Sequence, residues 1–269
     1  MKVIISHDVD HIRPREHWFR DLFFSKLWYR ETANLIKRRI SILEWTFRCT
    51  SFLSKRLNNI PEVIDVDNCS GIPSTFFFGM NQGLNMSYKP QEAKAMIEYV
   101  KNHGFSVGVH GISYNDENGI KNERESFEKV TGFEANGIRM HYVRNDENTI
   151  PLLEKAGYQF DSSEFDKKKG YTIKNPYKVG EIWEFPVGIM DSYLDSNLET
   201  MKSQTLEYID LANKEGIEYL TILFHDFYYS KAYENYMKWY EWLIAILQED
   251  ERYSFISFED AIREMEKAK

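Results

Sequence analysis

Residues 90–110 read PQEAKAMIEYVKNHGFSVGVH. Proline is suited to the first turn of a helix, and the glycine at 104 suits its end. The spacing predicts a helix over 90–103 and a strand over 105–110 that finishes on His110. The same unit repeats outward. Downstream, helices are expected at 120–130, 149–156, 198–214, 233–247 and 258–267, the first three closed by Gly132, Gly157 and Gly216. Strands are expected at 137–142, 158–162, 183–187, 219–224 and 253–257, and upstream at 2–6 and 74–78. Strands separated by single helices pair in parallel through right-handed crossovers. Seven or eight of them curl, so the expected fold is α/β, a distorted (β/α)7–8 barrel, closed or incomplete. The chain of 269 residues is read as one such domain over 1–269.

Composition narrows the function. Hydrophobic residues at 42% and charged residues at 28% are ordinary for a globular chain and exclude wholesale disorder. Two cysteines are too few for a disulfide scaffold or a cysteine-based zinc site. A net charge of −8 argues against nucleic acid as the main partner. No apolar run is long enough to span a membrane, and the first ten residues do not read as a signal peptide, so the expected location is the cytoplasm.

Barrel chemistry sits at the carboxyl ends of the strands. The polar residues predicted there are Asp8, Asp10, His110, Arg139, His141, Asp161, His225 and Asp226. Asp8 and Asp10, two apart on one strand, point to the same face and repel unless a cation or a proton lies between them. Carboxylate with imidazole suits zinc, cobalt, iron or manganese. His7 should face the opposite way and pack. His11 reads as a spare ligand at best, and His17 and His103 as surface or helix-end residues. Glu184 and Asp191 flank Phe185-Pro186 and either reach the cleft or, the favoured reading, serve only as turn and loop residues.

Five segments, ISHDVD at 5–10, VHGISY at 109–114, GIRMHY at 137–142, DSSEF at 161–165 and LFH at 223–225, stand in the order of the five motifs of the polysaccharide deacetylases, the NodB homology domain of carbohydrate esterase family four. The chain resembles that family over most of its length, with residues 15–60 outside the resemblance. The resemblance implies a distorted barrel, one divalent metal (zinc foremost) and removal of an acetyl group from an N-acetylated, or less readily O-acetylated, sugar or polysaccharide precursor. It makes Asp8 the base, Arg139 the group that holds it, and His225 the general acid, with Asp161 or Asp226 steadying its charge. Tyr142 and Tyr228 are the expected sugar contacts, and the main chain near Tyr142 an oxyanion donor. The family's second metal histidine is replaced by Tyr114, while His141 is gained on the neighbouring strand end. The expected triad is therefore Asp10, His110 and His141. Tyr114 as a phenolate ligand and a vacant site are the alternatives. The competing functions are an amidohydrolase acting on a small non-sugar C–N bond, and a non-catalytic glycan-binding member.

Residues 11–60 hold 11 Lys and Arg against 4 Asp and Glu, a net +7 in an acidic chain, with many aromatics. The span 15–60 is expected to be a helical insertion after the first strand. Either it only packs on the barrel, or 11–60 also makes peripheral contact with an anionic membrane at its inner face, through Arg20, Lys26, Arg30, Lys37, Arg38 and Arg39.

Overall fold

The computed structural model describes residues 1–17 and 22–267. Its strands are β1 (Lys2–Val9), β2 (Thr75–Gly79), β3 (Ser106–Gly111), β4 (Gly137–Met140), β5 (Phe160–Asp161), β6 (Tyr177–Val179), β7 (Ile182–Glu184), β8 (Val187–Met190), β9 (Tyr219–Leu223) and β10 (Ser254–Phe255). Its helices are α1 (Phe23–Ile36), α2 (Ile42–Cys49), α3 (Ile60–Cys69), α4 (Pro90–Asn102), α5 (Glu117–Thr131), α6 (Thr149–Ala156), α7 (Leu198–Lys214), α8 (Glu234–Glu249) and α9 (Phe258–Lys267). All strands join one sheet in the order β6-β7-β5-β4-β3-β2-β1-β9-β8, with β10 on the free start of β1. Every pairing is parallel except the β6–β7 hairpin. This is the curled α/β barrel that the alternation predicts.

The sequence reading placed one strand over 183–187. The structure divides it. β7 pairs with β5 at one flank of the sheet, and β8 pairs with β9 at the other. Only Phe185 and Pro186 lie between them. Proline has no N–H to extend a ladder, so pairing lapses there and the chain steps across the open seam. The barrel is thus closed by the chain's own continuity at that point. The hairpin partner β6 was not foreseen, because its Tyr177-Lys178-Val179 is half-exposed and carries little apolar signal.

Side-chain alternation sorts β1 into two faces. Val3, Ile5 and Val9 join the large core between sheet and helices. Ile4 points inward, with Phe77, Phe160, Phe185 and, from α9, Phe258 and Ile262, to fill the amino-terminal end of the barrel. Phe160 stacks on Phe258 at 4.7 Å. Gly137 permits this filling, since a Cβ there would stand 2.0 Å from the Phe160 ring. The barrel floor is therefore dry, and the inward positions of the same strands one step further along, Ser6 and Asp8, begin the polar end.

His7 behaves as expected. It is buried on the outer face, donates from Nδ1 to Phe224 O at 2.9 Å, and meets Asp67 with Nε2 at 3.0 Å. The insertion after β1 is helical as foreseen, in α1 and α2, and the chain then continues straight into α3. Trp18, Phe19 and Arg20, three residues of the basic aromatic segment, lie outside the described residues. No helix among the described residues is long and apolar enough to cross a membrane.

Candidate active site

A cavity of about 510 Å³ opens at the carboxyl end of the barrel. Asp8, Asp10, His110, His141 and His225 line it, together with Tyr142, Tyr228 and four residues of α1: Phe23, Lys26, Leu27 and Arg30. The latter recur at helical spacing, so one face of the inserted helix forms a wall of the site.

Asp10 Oδ1 lies 3.3 Å from His110 Nε2 and 3.2 Å from His141 Nδ1, and those nitrogens are 2.9 Å apart. The outer nitrogen of each ring is committed elsewhere. His110 Nδ1 donates to Arg139 O at 3.0 Å, and His141 Nε2 donates to Leu84 O at 3.0 Å. A carbonyl can only accept, so each neutral imidazole must turn a lone pair inward. Two lone pairs then face one carboxylate oxygen, which is buried and makes no well-formed hydrogen bond of its own among the described residues. That arrangement is repulsive unless a cation sits at its centre. In a protein without metal a proton can fill the role. Burial would lower the pKa of His141, but Asp10 outweighs it and raises it. Burial would raise that of Asp10, but His141 and His110 hold it well below the usual carboxylate range. A divalent ion that takes nitrogen and oxygen ligands would be held by the same three atoms. Tyr114, the alternative ligand, does not line the cavity; its ring lies under the Arg144 guanidinium at 4.9 Å.

Asp8 sits one layer deeper. Arg139 donates to its Oδ1 at 3.2 Å, to Ser6 Oγ at 2.8 Å, and to Ser162 O and Oγ at 2.8 and 2.7 Å. The guanidinium is fully buried and lies 4.7 Å over the Phe77 ring. It bridges the aromatic floor and the carboxylates above. Asp8 Oδ2 is 3.7 Å from His110 Nε2, which sets it beside the cluster without joining it.

His225 closes the opposite side, its Nε2 4.0 Å from Asp10 Oδ2. Its partner is Asp191. Oδ1 accepts from His225 Nδ1 at 2.8 Å, and Oδ2 accepts the His225 backbone N–H at 2.6 Å. Burial alone would lower the imidazolium pKa, but Asp191, with Asp10 and Asp8, carries it up to about 10. This corrects the expectation that Asp161 or Asp226 would steady His225. Asp161 is directed into the barrel wall, in register with Glu184, where Ser163 Oγ donates to it. Glu184 itself accepts the backbone N–H groups of Ser163 and Glu164 at 3.2 and 2.9 Å. Burial pushes both carboxyls above their ordinary range, and the Asp161 charge raises Glu184 further, so the pair holds a proton above the usual carboxylate range. Asp226 turns toward Asn59, whose N–H it accepts at 2.8 Å, and burial pushes its carboxyl up to about 8. For Asp191 the sequence favours a loop role over a place in the cleft, because it follows Phe185-Pro186. Its place at the end of β8, a carboxyl strand end, was the available signal.

Tyr142 and Tyr228 both face the cavity. Tyr142 has left-handed backbone, φ 59°, and its ring stacks on His141 with centroids 4.0 Å apart. Its hydroxyl donates to Leu84 O at 3.1 Å, the carbonyl that also takes the His141 proton. Tyr228 stacks on Tyr236 at 4.5 Å and meets the His225 ring edge-on. Tyr142 thus contacts the His141 ring and Tyr228 the His225 ring.

No family model matches the sequence, and no curated protein does. Solved structures do share the fold. One titled a "probable polysaccharide deacetylase" from Pseudomonas aeruginosa PAO1 superposes with TM-score 0.64 at 14% identity, over 97% of this chain and 89% of that one. The Puue allantoinase does so with TM-score 0.63 at 14% identity, again over 97% and 89%. The peptidoglycan deacetylase PdaC from Bacillus subtilis gives 0.51 at 10% identity, over 99% and 93%.

Proposed function

We propose that this chain, which has the fold of the polysaccharide deacetylases, is a metal-dependent hydrolase that removes an acetyl group from an N-acetylated sugar or glycan precursor. The observation that carries the reading is the meeting of His110, His141 and Asp10 with both outer imidazole nitrogens tied to carbonyls. Those three residues would hold the ion, zinc foremost by its ligand types. Bound there, such an ion lowers the pKa of a water and polarises the acetyl carbonyl.

The chain's own groups supply the proton transfers. Asp8, fixed by Arg139, is placed to take the proton of the attacking water. His225, held as an imidazolium by Asp191, is placed across the cavity to protonate the departing nitrogen. Tyr142 and Tyr228 offer ring faces and hydroxyls for a sugar. Lys26, Arg30 and Lys167 on the rim favour a substrate that carries an anionic group, such as a diphosphate-linked sugar. The apolar exposed residues of the insertion, Tyr29, Ile36, Ile42, Leu43 and Leu53 among them, stand with exposed Lys37, Arg38 and Arg39. That pairing supports peripheral docking on an anionic membrane on the cytoplasmic side, where lipid-linked sugars would be met.

Acetate release from N-acetylated sugars, sugar nucleotides and lipid-linked sugars tests the reading. Release by zinc-loaded protein, lost on chelation and restored by zinc, is expected. Zinc-loaded protein that frees acetate from none of the three overturns it.

A further inference from the structure

A second group of metal-type ligands lies beside the Asp10 cluster, with His11 lining the same cavity. We propose that His11, Glu16 and His17 form a separate divalent-metal site that fixes the root of the inserted helices. His17 Nε2 lies 3.0 Å from His11 Nδ1 and 3.1 Å from Glu16 Oε1, and His11 Nδ1 is 4.0 Å from the same oxygen. Metal bonds of about 2.0–2.2 Å in a tetrahedral shell place ligand atoms roughly 3.3 Å apart, within the span of these three separations. The Asp10 cluster is the tighter of the two, at 2.9–3.3 Å, and the two groups share no residue.

The surroundings are those of a built chelate. The three residues are buried, with His17 only 1% exposed, although the sequence reading placed His17 at the surface. Glu16 is oriented by the main chain: Oε1 accepts from Ile12 N at 3.0 Å and Oε2 from Arg13 N at 2.9 Å. Phe23 stacks on the His17 ring at 4.4 Å and leans on His11 at 4.8 Å, and Phe227 closes the other side of His11 at 5.3 Å. A carboxylate and two imidazole nitrogens converging in an aromatic box make a ligand set that suits a divalent cation. Two imidazoles and a carboxylate select zinc or cobalt over magnesium or calcium.

The site's position gives it a task. All three ligands lie in seven residues, directly after β1 and around the short 3-10 turn Pro14–His17. The ring that covers the cluster, Phe23, begins α1 and also lines the cavity with Lys26, Leu27 and Arg30. An ion there would pin the start of the helix that walls the active site, as a positioning element with no part in the chemistry.

Metal counting tests this directly. Chelator-stripped protein is reloaded with zinc, desalted and analysed for bound zinc per chain. Two equivalents are expected in the wild type. The His110→Ala/His141→Ala variant should keep one, and Glu16→Gln or His11→Ala/His17→Ala should also keep one. A folded wild type that binds no zinc, or whose zinc is lost entirely in the His110→Ala/His141→Ala variant, overturns the second site. If the His11 and His17 substitutions prevent folding, the wild type and the His110→Ala/His141→Ala variant still decide. A wild type with one equivalent that survives His110→Ala/His141→Ala and vanishes in Glu16→Gln overturns the assignment of the Asp10 cluster instead, so the two readings fail separately.

Discussion

Asp191 grips His225 twice, taking the ring Nδ1–H at 2.8 Å on one carboxylate oxygen and the backbone N–H at 2.6 Å on the other. The grip sets both the tautomer and the orientation of the ring. Nε2 is thereby aimed at the cavity, and the positive form is favoured.

Asp191→Asn keeps the shape and removes the charge. Loss of an anionic neighbour lowers the His225 pKa, so the imidazolium is lost at lower pH. The alkaline limb of the kcat/KM profile should move to lower pH, with bound metal unchanged. A profile that superposes on the wild type would detach Asp191 from catalysis.

The Asp10 cluster and the groups around it should separate cleanly in metal analysis. Asp10→Ala and His110→Ala are expected to lose the active-site ion. Asp8→Asn and His225→Ala should keep it and cut turnover by about 10²-fold or more, the usual worth of a positioned proton-transfer group. Loss of metal in Asp8→Asn would make Asp8 a ligand instead of a base.

The buried Asp161–Glu184 pair should be visible in stability. Both carboxyls titrate above their unfolded values, so the folded chain binds more protons and stability falls as pH rises from about 4 through about 6. Glu184→Gln can still accept the Ser163 and Glu164 N–H groups and donate to Asp161. Its urea midpoint should therefore vary less over that window than the wild type's. Parallel midpoint curves would mean that the pair holds no extra proton.

The insertion should bind lipid if its exposed surface is a docking face. Tyr29 is 82% and Leu53 72% exposed, in the same insertion as the exposed basic run Lys37-Arg38-Arg39. Co-sedimentation with anionic vesicles should appear at low salt, fade as salt rises and weaken when the three basic residues become serine. Each is worth on the order of 1 kcal/mol near such a surface. Equal recovery in the supernatant with anionic and neutral vesicles would leave the insertion only the part of α1 in walling the cavity.

The periodicity of this chain already specified much of the fold. Strand–helix alternation with glycine stops is local, and local backbone preference survives into the barrel, as in the helix that begins at Pro90 and the strand that ends near His110. The alternation also placed Asp8 and Asp10 on one face and His7 on the other, because a strand's two-residue period holds whatever it packs against. Partner choice is different. Whether His225 is served by Asp161, Asp191 or Asp226 depends on where pairing breaks at Pro186 and on which flank β8 joins, and these are contacts between residues far apart in sequence. The same holds for His11, Glu16 and His17: they are close in sequence, but their burial is set by Phe23 and Phe227 closing over them. Spacing can bring ligand types near one another. Only packing decides which of them are shut away from water together.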